Sequence, residues 1–225
     1  MATVKKFFKR LVLVLLWLVW LLTGPYIYFG ASISGRVIDP VTRQGVAGAI
    51  VTAKWELFFH GLGDSGSTGT FLNANEAVTD SQGYFRIPGW GPRLAAPLTE
   101  LDSKEPYLIV YKMGYAPRIL KNKHDRHGPL SVSDWDGEEV TLSKFSGSND
   151  DYALRIAMLT SVMHLAPAST YDWMKFPHLI VALLQTTTRI EDFVASSDRR
   201  SGLLRENDLH GSVQEIRDYL ARYRK

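Results

Sequence analysis

ISGRVIDPVTRQGVAGAIVTAKW, residues Ile33 to Trp55, decides the architecture of this chain. Ile33, Gly35 and Val37 alternate with Ser34 and Arg36, the period-two pattern of a half-buried strand. Asp39-Pro40 breaks the run, because proline fixes φ and removes a ladder donor, and Gly45 closes the turn. In the returning strand Ala49, Val51, Ala53 and Trp55 share one face, while Thr52 and Lys54 point the other way. Two β-strands joined by a turn are therefore expected here.

Downstream, the same logic yields five more strands. Glu76 to Thr79 and Tyr84 to Ile87 flank Asp80-Ser81-Gln82-Gly83, with Asp first and Gly last as a tight turn favours. Tyr107 to Lys112 is rich in β-formers and reads as a central strand. Gly114-Tyr115 turns the chain into a short strand around Arg118-Ile119-Leu120, and Glu139 to Leu142 supplies the last. Three stretches, 58–75, 88–106 and 121–137, have no period and read as long loops. The expected fold is mainly β: a seven-stranded antiparallel sandwich.

The blocks Ile33-Ser34-Gly35-Arg36-Val37, Gly45-Val46-Ala47-Gly48-Ala49-Ile50-Val51, Thr79-Asp80-Ser81-Gln82-Gly83-Tyr84-Phe85 and Gly114-Tyr115 occur in an order that resembles the carboxypeptidase regulatory-like domains. The resemblance covers about residues 32–145 and implies a transthyretin-like sandwich. It does not imply peptidase activity, because in that family the module is accessory to a catalytic domain. The long loops depart from the family's compact pattern.

Upstream, Lys5, Lys6, Lys9 and Arg10 precede the unbroken apolar run Leu11 to Leu22, and apolar character resumes at Tyr26-Ile27-Tyr28-Phe29. A spanning helix needs roughly 20 mostly apolar residues, and Phe7 to Phe29 is expected to supply them. Basic residues on the N-terminal flank hold that end in the cytoplasm. Residues 1–31 are thus expected to form an uncleaved signal anchor, with the rest in the periplasm as a single-pass protein of the bacterial inner membrane. A cleaved signal peptide is the alternative, but a small-x-small cleavage site is hard to find.

From Ser148 the period changes to helical. Leu154, Met158, Leu159, Val162 and Leu165 recur on one face until Pro167, and a second helix is expected from Pro177 to Phe193. Ser212-Val213-Gln214-Glu215 is a capping box opening a third. Residues 146–225 form a small helical region with too little apolar surface to stand alone, so packing on the sandwich or on a partner is expected.

Composition excludes several functions. The formal charge is +3, but removing the four N-terminal basic residues leaves 22 basic against 23 acidic, a net of −1. Such a domain lacks the electrostatic footprint of a nucleic-acid binder. With no cysteine there is no disulfide, no thiolate nucleophile, no lipidated cysteine and no Cys-ligated zinc.

Catalytic motifs fare no better. Gly63-Asp64-Ser65-Gly66 matches the short signature around a serine-protease nucleophile, but it sits in a Gly/Ser-rich loop of a chain too short for that fold. No histidine has Glu three residues later, so the zinc carboxypeptidase ligand pair is absent, as is His-Glu-x-x-His. His124-Asp125-Arg126-His127 could place two imidazoles near a metal, the basis of an alternative metal-dependent hydrolase. The chain ends Arg-Tyr-Arg-Lys, where transthyretin-like hydroxyisourate hydrolases carry Tyr-Arg-Gly-Ser. No catalytic residue, cofactor or metal is assigned.

If the strands run up and down, the short turns fall at one end of the sandwich and the three long loops at the other. The first strand starts from the anchor, so the long-loop end is nearest the membrane. That end carries Trp90, Trp135, His60, His124 and His127, the candidate binding residues. The ordinary alternative is that Trp90 and Trp135 cap the core. The expectation is a non-catalytic, membrane-anchored envelope module that binds an envelope protein or another envelope component, with self-association as a structural spacer the further alternative.

Overall fold

The computed structural model describes residues 2–23, 27–59, 70–95, 99–162, 176–183 and 185–186. The chain is mainly β. After helix α1 (Ala2–Thr23) come β1 (Ile27–Gly30), β2 (Ile33–Ile38), β3 (Ile50–Phe59), β4 (Thr70–Val78), β5 (Tyr84–Ile87), β6 (Trp90–Leu94), β7 (Thr99–Leu101), β8 (Tyr107–Tyr111), β9 (Arg118–Leu120), β10 (Leu130–Ser131) and β11 (Glu139–Thr141). Helix α2 (Asn149–Val162) and a short helix over residues 177–183, α3, follow.

All seven expected strands are present, as β2, β3, β4, β5, β8, β9 and β11. Four more join them, and the three long loops are correspondingly corrected. Stretch 58–75 holds the ends of a long β3–β4 hairpin, 88–106 contains β6 and β7, and 121–137 contains β10. Strand β6 escaped the pattern because Gly91 and Pro92 sit inside it, residues that a strand interior disfavours.

Three sheets form, with orders β11-β2-β5, β4-β3-β8-β9 (β7 also on β3) and β10-β1-β6. Strand β2 is antiparallel to β5 and parallel to β11, with Val37 opposite Val140. The parallel pair corrects the expected wholly antiparallel sandwich. It follows from alternation over an odd number of strands: the first and seventh run the same way and meet as neighbours.

Side-chain parity builds the core between the first two sheets. Ile33, Val37, Val51, Ala53, Trp55, Phe85, Ile87, Leu108, Val110, Val140 and Leu142 are buried together there. Burying so many large apolar groups, each worth roughly 1.5–3 kcal/mol, is what holds the layers against each other. At one end the short turns interlock. Val37 N–H donates to the Gly83 carbonyl at 2.8 Å, and the Thr79 hydroxyl donates to the Val46 carbonyl at 2.6 Å. A Cβ at Gly45 would run into the Gln82 backbone, so the approach requires glycine.

Strand β8 is buried on both faces. Its second face, with Ile109 and Tyr111, packs under α2 and α3 through Tyr152, Ile156, Leu159, Phe176, Leu179, Ile180 and Leu183. The helices therefore cover the sandwich. Ser148 and Asp151 form a reciprocal cap on α2: Asp151 N–H donates to Ser148 Oγ at 3.1 Å, and Ser148 N–H to Asp151 Oδ2 at 3.3 Å. Pro177 opens α3, where its missing N–H costs nothing. The expected helix from Ser212 lies outside the described residues.

The N-terminal expectation needs correction. Tyr26 to Phe29 was to complete a membrane span, but Ile27–Gly30 is strand β1, with Tyr28 buried in a small core with Leu57 and Ala95. Among the described residues no helix is long and apolar enough to cross a membrane. Lys6, Lys9 and Arg10 interrupt the first half of α1, and its unbroken apolar run is confined to Leu11–Leu22.

Candidate functional site

Strand direction brings the loops between β5 and β8, and between β9 and β11, to the end of the sandwich away from the short turns. There the carboxylate of Asp134 gathers a polar cluster. Its Oδ2 accepts the His124 backbone N–H at 2.9 Å and faces His124 Nδ1 at 3.1 Å. Its Oδ1 accepts Arg126 Nε–H at 3.0 Å, and Arg126 Nη2 donates to the same oxygen. The Arg126 guanidinium holds the Asp134 carboxyl well below the usual carboxylate range.

This cluster is tied to the core by a chain of hydrogen bonds. Asp134 N–H donates to Asn122 Oδ1 at 2.8 Å, and buried Asn122 donates to the carbonyls of Glu105 and Val132 at 2.8 and 2.9 Å. Ser131 Oγ accepts Trp55 Nε1–H at 2.9 Å. Trp55 in turn meets Trp90 edge-on, with ring centroids 5.2 Å apart. A loop whose backbone groups are answered this way holds its surface side chains in place without regular secondary structure.

The candidate residues separate accordingly. Trp90 is half-buried and belongs to the core: a Cβ at Gly30 would fall within its indole. Trp135 packs its inner edge on the core, donates Nε1–H to the Lys121 carbonyl at 2.9 Å, and carries the Lys123 ammonium 4.7 Å from its ring. His124 is exposed with Nδ1 directed at Asp134, which leaves Nε2 outward. His127 is exposed, near Asp125. His60 and Gly63-Asp64-Ser65-Gly66 lie outside the described residues. Asp134 thus joins His124 and Arg126, while the neighbouring Trp135 is held by Lys121 and Ser133; among the described residues no hydrogen bond links these to Trp90.

A carboxylate-oriented imidazole is half of a general-base arrangement. Among the described residues no hydroxyl bonds His124, and no three His, Cys, Asp or Glu side chains are placed to hold a metal ion. What this surface offers is a fixed aromatic ring, a cation over it and an outward imidazole. Those groups suit recognition.

One group of charges escaped the sequence reading. Lys54, Glu56 and Glu105 are fully buried, with Lys54 Nζ 2.9 Å from Glu56 Oε1 and 5.1 Å from the Tyr107 ring centre. Burial pushes the Glu105 carboxyl well above its ordinary range, opposed by the charge of Lys54. Lys54 and Glu56 alternate with Ala53 and Trp55, which reads as a solvated strand face, and only the tertiary structure shows it covered. Nearby, a cleft of about 540 Å³ is lined by Leu57, Phe71, Leu72, Pro92, Arg93 and Leu94, among others.

No family profile and no curated protein matches the chain. Among solved structures, chlorocatechol 1,2-dioxygenase from Pseudomonas putida is 15% identical with a TM-score of 0.28; the match covers 52% of this chain and 60% of the dioxygenase. A type II cohesin–X-dockerin complex from Acetivibrio cellulolyticus is 17% identical over 56% of this chain and 72% of the other, with a TM-score of 0.26. A 9R-lipoxygenase from Cyanothece PCC8801 is 12% identical over 74% of this chain and 25% of its own, with a TM-score of 0.27. Likenesses this weak decide neither family nor activity.

Proposed function

We propose that this chain is a non-catalytic, membrane-anchored binding module of the bacterial envelope, with its sandwich on the periplasmic side. The observation that carries the reading is on α1. Every side chain from Leu11 to Trp17 is exposed, by 37% to 59%, and seven consecutive residues take in all faces of a helix. A helix apolar all round needs an apolar environment, and a bilayer with the four basic residues at its cytoplasmic headgroups supplies one. The helix of 22 residues is about 33 Å long, and its apolar run Leu11–Leu22 would enter the bilayer with Lys9 and Arg10 drawn to the headgroups.

The sandwich would be an accessory unit of the carboxypeptidase regulatory-like kind, on the strength of the four sequence blocks. It binds an envelope protein or component through His124, which Asp134 orients, and through Trp135 with Lys123 over its ring. Alkaline extraction of membranes and protease treatment of spheroplasts test the anchor. The expected protein stays in the membrane pellet and loses its C-terminal domain to external protease. Release by carbonate, or digestion only after lysis, would overturn the reading.

A further inference from the structure

Sheet β10-β1-β6 presents an apolar face. Ile27 stands opposite Leu94, and Phe29 opposite Leu130, so alternation puts all four on one side of the sheet. They are 47%, 67%, 41% and 56% exposed, while Tyr28, Gly30 and Ser131 on the other side are buried. A solvated sheet normally shows polar residues on its outer face. Here the pattern is inverted on a small sheet at the very start of the domain.

The chain fixes where this face must be. Only residues 24–26 separate Thr23, the last of α1, from Ile27. Four extended steps reach at most about 14 Å, so the sheet is held within that distance of the helix end. The loop that delivers β10 is basic: Lys121, Lys123 and Arg126 precede Leu130, and the Pro129 carbonyl accepts the Phe29 N–H at 2.8 Å. Asp125 is matched by Lys104 at 3.0 Å, and Asp134 by Arg126. Lys121 and Lys123 lie over the rings of Tyr107 and Trp135. Cations on the approach to an apolar face favour the anionic headgroups of a membrane surface.

We infer that the face formed by Ile27, Phe29, Leu94 and Leu130 rests on the lipid headgroup layer, docking this end of the sandwich on the bilayer that α1 enters. This inference rests on the anchor reading above. The sheet acts as a second, interfacial contact and fixes which end of the domain looks away from the membrane: the short turns around Val41 and Gly114.

The absence of cysteine permits a clean test on the full chain. Leu94→Cys, Leu130→Cys and, as the distant control, Val41→Cys (88% exposed) are each labelled with an environment-sensitive fluorophore. Each protein is reconstituted in phosphatidylcholine–phosphatidylglycerol vesicles containing headgroup nitroxide lipid. The expected result is blue-shifted, lipid-quenched emission at 94 and 130 and unshifted, unquenched emission at 41. Flotation with the vesicles, but equal responses at all three positions, would overturn the docking and leave the anchor standing. Labels at 94 and 130 shielded from aqueous quencher without lipid quenching would overturn it in favour of a protein partner. Failure to float would overturn both.

Discussion

Glu76, on strand β4, caps helix α3 from outside: its carboxylate accepts the backbone N–H groups of His178 at 2.9 Å and Leu179 at 3.1 Å. A helix N-terminus leaves such donors unpaired, and a carboxylate also complements its dipole. The cap joins the sheet to the helix that covers it.

Replacing Glu76 with Ala is therefore expected to cost about 1–2 kcal/mol, read as a lower urea midpoint. The pH dependence has a defined sign. Burial raises the Glu76 pKa above its ordinary 4.5, so its titration contributes stability below that value and loses it as pH rises through the raised pKa. Relative to Glu76→Gln, which does not titrate, the native protein should be favoured most below pH 4.5 and progressively less above it. A stability difference that grows with pH would rule this out.

The buried charges give an ordered pair of outcomes. Burial raises the Glu105 pKa well above its ordinary value and so favours its protonated form beside the Lys54–Glu56 pair. Glu105→Gln keeps the shape of the protonated acid and should change stability by about 1 kcal/mol or less. Its native counterpart should lose stability as pH rises through the raised pKa, while the Gln variant does not. Lys54→Met strands Glu56 without its counter-ion and should cost about 3–5 kcal/mol. Chemical denaturation of both variants decides it; a larger loss in Glu105→Gln would mean the charge resides on Glu105.

The two tryptophans are expected to part company. Trp90 fills the space over Gly30 against Trp55, and Trp90→Ala should cost about 3–5 kcal/mol while leaving partner affinity per folded molecule unchanged. Trp135→Ala removes a half-buried ring and should cost under about 2 kcal/mol. Affinity for the partner should fall in Trp135→Ala. Thermal melts and a binding titration on the same samples separate the two.

Asp134→Asn should loosen the loop rather than the core. Amide exchange is expected to rise at His124 and across residues 122–135, with the sheets unchanged. The Asp134 pKa is depressed, so its contribution is present above the ordinary value of 3.8 and is lost as pH falls through the lower folded pKa. The native and Asn proteins should therefore converge in strong acid. Equal exchange at neutral pH would show that Asp134 orders nothing.

Alternation in Ile33–Trp55, turn residues such as Asp80-Ser81-Gln82-Gly83 and Gly114-Tyr115, and the β-formers of Tyr107–Lys112 were enough to place seven strands. Strand β1 was hidden because its outward residues, Ile27 and Phe29, are as apolar as its buried Tyr28. An apolar run of that kind reads as a continuation of the preceding helix. Strands β7 and β10 are too short to carry a period. Of the site, Trp135 and His124 were visible as exposed-type residues in a loop. The organising role of Asp134 was not, since it depends on contacts with Asn122 and Arg126 across a fold in the chain. The burial of Lys54 and Glu56 was not legible for a similar reason: alternation puts Lys54 on the face opposite Trp55 but does not show what covers that face.

The parallel ladder between β2 and β11 has a consequence for biogenesis. Arg36 and Glu139 meet across 103 positions of sequence, and β2 occupies the centre of its sheet. An emerging chain therefore holds a central strand with one neighbour missing until the last strand arrives. Long-range closure of this kind is slow. The sheet is therefore completed only when β11 is available to pair with β2.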